Sequence, residues 1–231
     1  MKVKIMENGP YIVSGDIPLY EIELISDEKG HASEFSSQKK VTHKSIYSLC
    51  RCGKSENKPF CDGKHNKSDF NGEEVASKNI YKETARIFET EKFKLIDAVE
   101  LCDHSRFCLR RGGIRNLIEK GDAESLAIAK KEAALCPSGR LLLWDKEKNI
   151  STEKVFPKEI VLIFDDEKNC EGPIWLKGKI PLESADGEFY EGRNRITLCR
   201  CGKSKNKPFC DGNHWMDEEI EEKFRKKWGL D

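Results

Sequence analysis

The chain of 231 residues and 26.5 kDa is long enough for one large domain or two to three small ones, and 37% hydrophobic against 35% charged residues points to small cores. Lysine plus arginine and aspartate plus glutamate number 41 each, so no net charge draws the whole chain onto nucleic acid. A mean hydropathy of −0.67, with no apolar run near the roughly 20 residues of a membrane span, argues against a membrane protein.

The first fifteen residues, MKVKIMENGPYIVSG, hold no apolar core of signal-peptide length, and a cytoplasmic location is expected. Tyr11–Val13, a short stretch of strand-forming residues between Gly and Pro boundaries, is predicted as a strand. Residues 26–42 are polar and read as a loop. In the middle of the chain Asp122 is a helix N-cap, and Leu126, Ala129 and Ala133 recur at helical spacing. Leu141–Trp144, Val161–Phe164, Ile174–Leu176 and Arg195–Leu198 read as strands. Asp217–Lys227 reads as a charged helix whose Ile220, Phe224 and Trp228 pack onto the body.

Ten cysteines are the unusual feature, and nine fall into three compact groups. Without an export signal, such clusters hold metal or do redox chemistry more readily than they form disulfides. Two of the groups are copies. Residues 50–65 read CRCGKSENKPFCDGKH and residues 199–214 read CRCGKSKNKPFCDGNH, differing only at Glu56/Lys205 and Lys64/Asn213. The duplication extends upstream, where Gly9–Leu19 lines up with Gly172–Leu182, and the first copy carries extra residues around 26–42.

On a strand, Cys50 and Cys52 would point the same way. Asp62 would cap a helical turn that brings Cys61 and His65 together at i, i+4, and Pro59 would stiffen the closing loop. Cys199, Cys201, Cys210, His214 and Pro208 repeat the arrangement. Three cysteines and a histidine suit a structural zinc or a 2Fe–2S cluster with two ligands per iron. The basic residues around them, Arg51, Lys54, Lys58, Arg200, Lys203, Lys205 and Lys207, read as solvated charges offsetting an anionic centre rather than a nucleic-acid patch, since no aromatic platform is interleaved.

Both stretches match the signature C-x-C-x2-S-x3-P-x-C-D-G-x-H at every fixed position and resemble the CDGSH, mitoNEET-like iron–sulfur family over roughly residues 9–66 and 172–215. Lys64 and Asn213 depart from it, standing where the family usually has a small residue. The resemblance implies a 2Fe–2S cluster on Cys50, Cys52, Cys61 and His65, the first two on the inner iron. It implies a second cluster on Cys199, Cys201, Cys210 and His214. Members with one motif form a β-rich homodimer, so two motifs imply that dimer made covalent, a monomer with internal pseudo-twofold symmetry.

The third group is Cys102-Asp103-His104-Ser105-Arg106-Phe107-Cys108 with Cys136-Pro137-Ser138-Gly139. Against the ferredoxin pattern C-x2-C-x2-C with a remote Cys-Pro, Ser105 replaces the middle cysteine. The stretch resembles divergent mono-cluster ferredoxins that accompany CDGSH motifs. Cys102, Cys108 and Cys136 would suit a 3Fe–4S cluster, or a 4Fe–4S cluster whose fourth iron takes water, Ser105 or His104. The competing reading is buried structural cysteines. Cys170 belongs to no group, and His31 and His43 read as surface residues.

The expected fold is α+β: a first CDGSH unit at 1–80, a ferredoxin-like α/β segment at 81–168, and a second CDGSH unit with a C-terminal helix at 169–231. The expected role is non-enzymatic, electron transfer or cluster transfer in iron and redox homeostasis, to a redox or cluster-acceptor protein and without nucleic-acid or membrane partners. The alternatives are a structural zinc module and the electron-transfer subunit of a separate oxidoreductase.

Overall fold

The computed structural model describes residues 1–215, and the helix expected over 217–227 lies outside them. The first part of the chain forms β1 (Lys2–Ile5), β2 (Tyr11–Ser14), β3 (Leu19–Ser26), β4 (Ala32–Phe35), β5 (Lys39–Lys40) and β6 (Ile46–Leu49). The middle forms α1 (Tyr81–Thr84), β7 (Arg86–Glu89), β8 (Phe93–Asp97), α2 (Ile114–Lys120), α3 (Ala123–Leu135), β9 (Leu141–Asp145) and β10 (Ile150–Ser151). Then come β11 (Glu159–Asp165), β12 (Cys170–Lys177), β13 (Leu182–Glu183) and β14 (Arg195–Leu198). The molecule is mixed α+β, and no helix among the described residues is long and apolar enough to cross a membrane.

The duplication shows in how the strands pair. One sheet runs β13-β1-β2-β6 and the other contains β14-β12-β11-β3. Matching β2 with β12, β6 with β14 and β3 with β13 turns one order into the other. Each repeat therefore lends its third strand to its neighbour. Val3 pairs with Leu182 in parallel, and Ile160 pairs with Leu19 in parallel. The expected pseudo-twofold pair is present, held by strand exchange that periodicity alone does not reveal.

Between the two sheets lies a core of Val3, Ile5, Val13, Leu19, Leu49, Ile160, Leu162, Ile174, Leu176 and Leu198. Strand β11 is buried on both faces, which fits its unbroken run Ile160-Val161-Leu162-Ile163. Its outer face meets Phe107 of the middle segment, with Trp175, Phe35 and Ile22 around it. The sequence reading puts β11 in the segment 81–168; its pairing with β3 and β12 makes it part of the repeats' sheet. The polar stretch 26–42 is likewise no plain loop. It folds as β4 and β5 along β3, with Ala32 fully buried, because polar residues on the exposed side of a hairpin look like loop when the apolar side is short.

The middle segment is an antiparallel sheet, β10-β9-β8-β7, with α2 and α3 against it around Leu95, Leu117, Ile118, Ala129 and Leu143. Asp122 caps α3 as expected, accepting from the Ser125 amide at 2.9 Å. The helix stops at Leu135 because Pro137 disfavours helical backbone at Cys136.

Candidate metal centres

Strand β6 ends at Leu49 and β14 at Leu198, so the first cysteine pair of each copy follows its strand rather than sitting on it. The sulfurs still converge: Cys50 and Cys52 lie 3.8 Å apart, and Cys199 and Cys201 3.7 Å apart. In both copies the third cysteine lies 3.4 Å from the histidine Nδ1, Cys61 beside His65 and Cys210 beside His214.

The closing loops are near duplicates. Ser55 donates to the Phe60 carbonyl at 2.6 Å and Ser204 to that of Phe209 at 2.7 Å. The peptide bonds before Pro59 and Pro208 are both cis. Asp62 is not a helix N-cap: Gly63 holds that position at φ 85° before a 3-10 turn over Lys64–Lys67. Asp62 instead ties the loop together, accepting from the amides of Glu56 at 2.8 Å and Lys64 at 3.1 Å. Asp211 does the same with Lys205 at 2.7 Å and Asn213 at 3.1 Å.

The copies meet at their inner cysteines. Cys52 and Cys201 form an isolated antiparallel bridge. A side chain on Gly53 would strike the Cys201 carbonyl oxygen at 2.7 Å, and one on Gly202 would strike that of Cys52 at 2.8 Å. Only glycine permits that approach, and both have positive φ. Tyr11 reinforces the contact by donating to the Cys199 carbonyl at 2.8 Å.

Two residues expected among solvated charges are interior. Arg51 is 1% exposed and donates to the carbonyls of Met6 and Gly72. Arg200, 5% exposed, donates to those of Gly172 at 2.6 Å and Ile163 at 2.7 Å. Both guanidiniums tie neighbouring segments together through backbone carbonyls instead of standing in solvent.

In the middle segment Cys102, Cys108 and Cys136 line one recess with Asp103, Ser105, Arg140 and Leu141. Arg140 is held there by Asp97, with contacts of 2.5 and 2.9 Å. Asp103 was not singled out by sequence. It is 3% exposed and its Oδ2 has no hydrogen-bond partner, which only the fold shows. Of the proposed fourth ligands, Ser105 lines the recess, whereas His104 packs against Gly212 and Trp215 of the second copy. Cys170 opens β12 opposite Asp165 and lines a different recess, with Glu23 and Phe164.

Burial and neighbouring sulfurs shift these donors in both directions: the Cys201 hydrogen bond holds Cys199 down at about 6. Burial pushes the thiols of Cys52, Cys61 and Cys210 up, and that of Cys108 to about 12 beside Cys136. Thiolates there need a metal to replace the proton. Burial holds His214 down at about 4, so its ring stays in the neutral form that ligates. Among the described residues, no three Cys, His, Asp or Glu side chains close around a point that a single metal ion could fill. The repeated donors stand as two close pairs per copy instead.

Residues 8–66 and 171–215 match the family model described as iron-binding zinc finger CDGSH type. Residues 88–146 match the model described as divergent 4Fe-4S mono-cluster. No curated protein and no solved structure was found to match the chain.

Proposed function

We propose that this chain, with two CDGSH-type iron–sulfur segments flanking a divergent 4Fe-4S mono-cluster segment, is a non-enzymatic carrier of electrons or clusters. The observation that carries the reading is the pairing of donors. A tetrahedral zinc wants four ligands around one ion. Cys50 with Cys52 and Cys61 with His65 form two pairs, which suits two irons, each with two protein ligands. Cys199 with Cys201 and Cys210 with His214 suit a second 2Fe–2S cluster. Cys102, Cys108 and Cys136 would hold a 3Fe–4S or 4Fe–4S cluster, with Ser105 or Asp103 beside its open position.

Such clusters, when bound, supply one-electron oxidation and reduction. The chain's own part is to hold the thiolates in pairs, to keep His214 neutral by burial, and to brace the cysteine loops through the buried Arg51 and Arg200. The bridge between Cys52 and Cys201 joins the two ligand sets through backbone, which supports a role that uses both together. A cytoplasmic setting fits thiols that stay free.

The test is iron, zinc and acid-labile sulfide content, with EPR of the oxidised and reduced protein. The expected result is iron and sulfide with 2Fe–2S signals on reduction. Zinc without sulfide would remove the reading. Transfer of colour to an apo-ferredoxin then separates cluster donation from electron transfer alone.

A further inference from the structure

The two repeated sites have matching bonds but different surroundings. At Gly63, beside Cys61 and His65, an added Cβ would find no atom within 4 Å. At the equivalent Gly212 it would lie 2.5 Å from Cδ2 and 2.9 Å from Cγ of His104. The backbone at both glycines has φ 85°. The difference is therefore not local; it comes from a ring laid over one copy and not the other.

That ring belongs to a wider cover. His104 and Trp215 meet edge to face with centroids 5.7 Å apart, and the Lys168 ammonium lies 3.3 Å from the Trp215 ring centroid. Asn206, in the second copy's loop, donates to the Glu100 carbonyl at 2.9 Å. Beneath the cover Cys210 is 2% exposed and His214 9%, whereas Cys61 and His65 are half-buried. His104 itself sits between Cys102 and Cys108, at φ 58°, a backbone conformation that costs a non-glycine residue energy and needs support from its surroundings.

Resting on the iron–sulfur reading above, we propose that the duplicated sites have divided roles. The edge formed by Cys61, Gly63 and His65 is the surface that meets the external acceptor protein. The equivalent edge of the second copy is closed by the chain's own His104 loop. The partner is a protein that takes an electron or the cluster at a half-buried Cys–His edge. Among the described residues, the way to Cys210 and His214 from the Gly212 side is closed by the 102–108 loop.

The experiment uses the full loaded protein and a sulfonated phenanthroline chelator with reductant, followed by visible absorbance and EPR. His65→Cys and His214→Cys, each keeping a ligand, label which EPR signal belongs to which site. The expected result is two phases: the signal labelled at His65 is lost first, and the one labelled at His214 about tenfold or more slowly, because access needs local opening. His104→Ala should speed the slow phase alone, and His104→Gln, which keeps some cover, should lie between. Equal loss of both signals, faster loss at His214, or no effect of His104→Ala on the slow phase would overturn the proposal. A protein without sulfide or 2Fe–2S signals fails the earlier reading instead, before any chelator is added.

Discussion

The guanidinium of Arg195, on the last strand before the second cysteine motif, donates to the Cys136 carbonyl at 2.7 Å. The same side chain, 2% exposed, donates to Ala133 at 2.6 Å and Leu141 at 3.1 Å and pairs with Glu153 at 2.8 Å. One arginine thus fixes the end of α3, the Cys-Pro turn and the start of β9 to the second repeat. Replacing it with methionine leaves four carbonyls, those of Ala133, Ala134, Cys136 and Leu141, without this donor and Glu153 without its partner. Arg195→Met is expected to lower stability by about 2–4 kcal/mol, measured by urea titration of the loaded protein.

Cys136→Ser should remove the 3Fe–4S or 4Fe–4S signal and leave both 2Fe–2S signals, because its recess is lined by Cys102 and Cys108 and by no ligand of the repeats. Cys170→Ser should leave iron and sulfide unchanged, since that thiol faces Asp165 in another recess. Iron analysis with EPR checks both. Loss of all iron in the first variant would mean that the three sites load as one unit.

In the proposed ligand sets histidine is the neutral member, and a thiolate in its place would add a negative charge. Charge stabilises the oxidised form, and cysteine-only centres lie well below histidine-ligated Rieske centres. His65→Cys combined with His214→Cys is expected to lower the 2Fe–2S potential by on the order of 100 mV. A redox titration that finds parent and variant alike would exclude these rings as ligands.

Glu132 on α3 is 1% exposed, and neither of its carboxylate oxygens has a hydrogen-bond partner. Burial pushes its pKa up to about 7, with Arg110 pulling the other way. The folded state holds this proton more tightly than the unfolded chain, whose glutamates titrate near about 4.3. Its contribution to stability is full below that value and is lost as pH rises through about 7. Glu132→Gln should therefore be more stable than the parent well above pH 7, by roughly 3 kcal/mol, and close to it near pH 4. Thermal melts across that range check the slope; a constant difference at every pH would refute it.

Much of this architecture is written locally. The strand Arg195–Leu198 follows from alternation, Tyr11–Ser14 and Leu141–Asp145 from short apolar runs with turn residues beside them, and Asp122 marks the start of α3 through cap chemistry. The motif spacing brings Cys61 to His65 and Cys50 to Cys52 because both contacts close within one short loop. Relations across the chain are not written that way. Nothing local in Arg51 says that its charge points inward to Gly72, and nothing in His104 says that its ring will rest on Gly212. The hairpin over 26–42 was hidden because only Ala32 and its neighbours carry its buried side.

The exchanged strands also set an order for synthesis. Val3 finds its parallel partner in Leu182, so the N-terminal sheet stays incomplete until most of the chain has left the ribosome. Until then β1, β2 and β6 present an open edge, and contacts of such long sequence separation form slowly. The middle segment closes on itself from β7 to β10 and needs no strand from either repeat. It is the part able to pair its strands while the first repeat waits for the second, so a nascent chain that has emerged as far as residue 151 would hold a closed sheet whose Cys-Pro turn still lacks the Arg195 clasp.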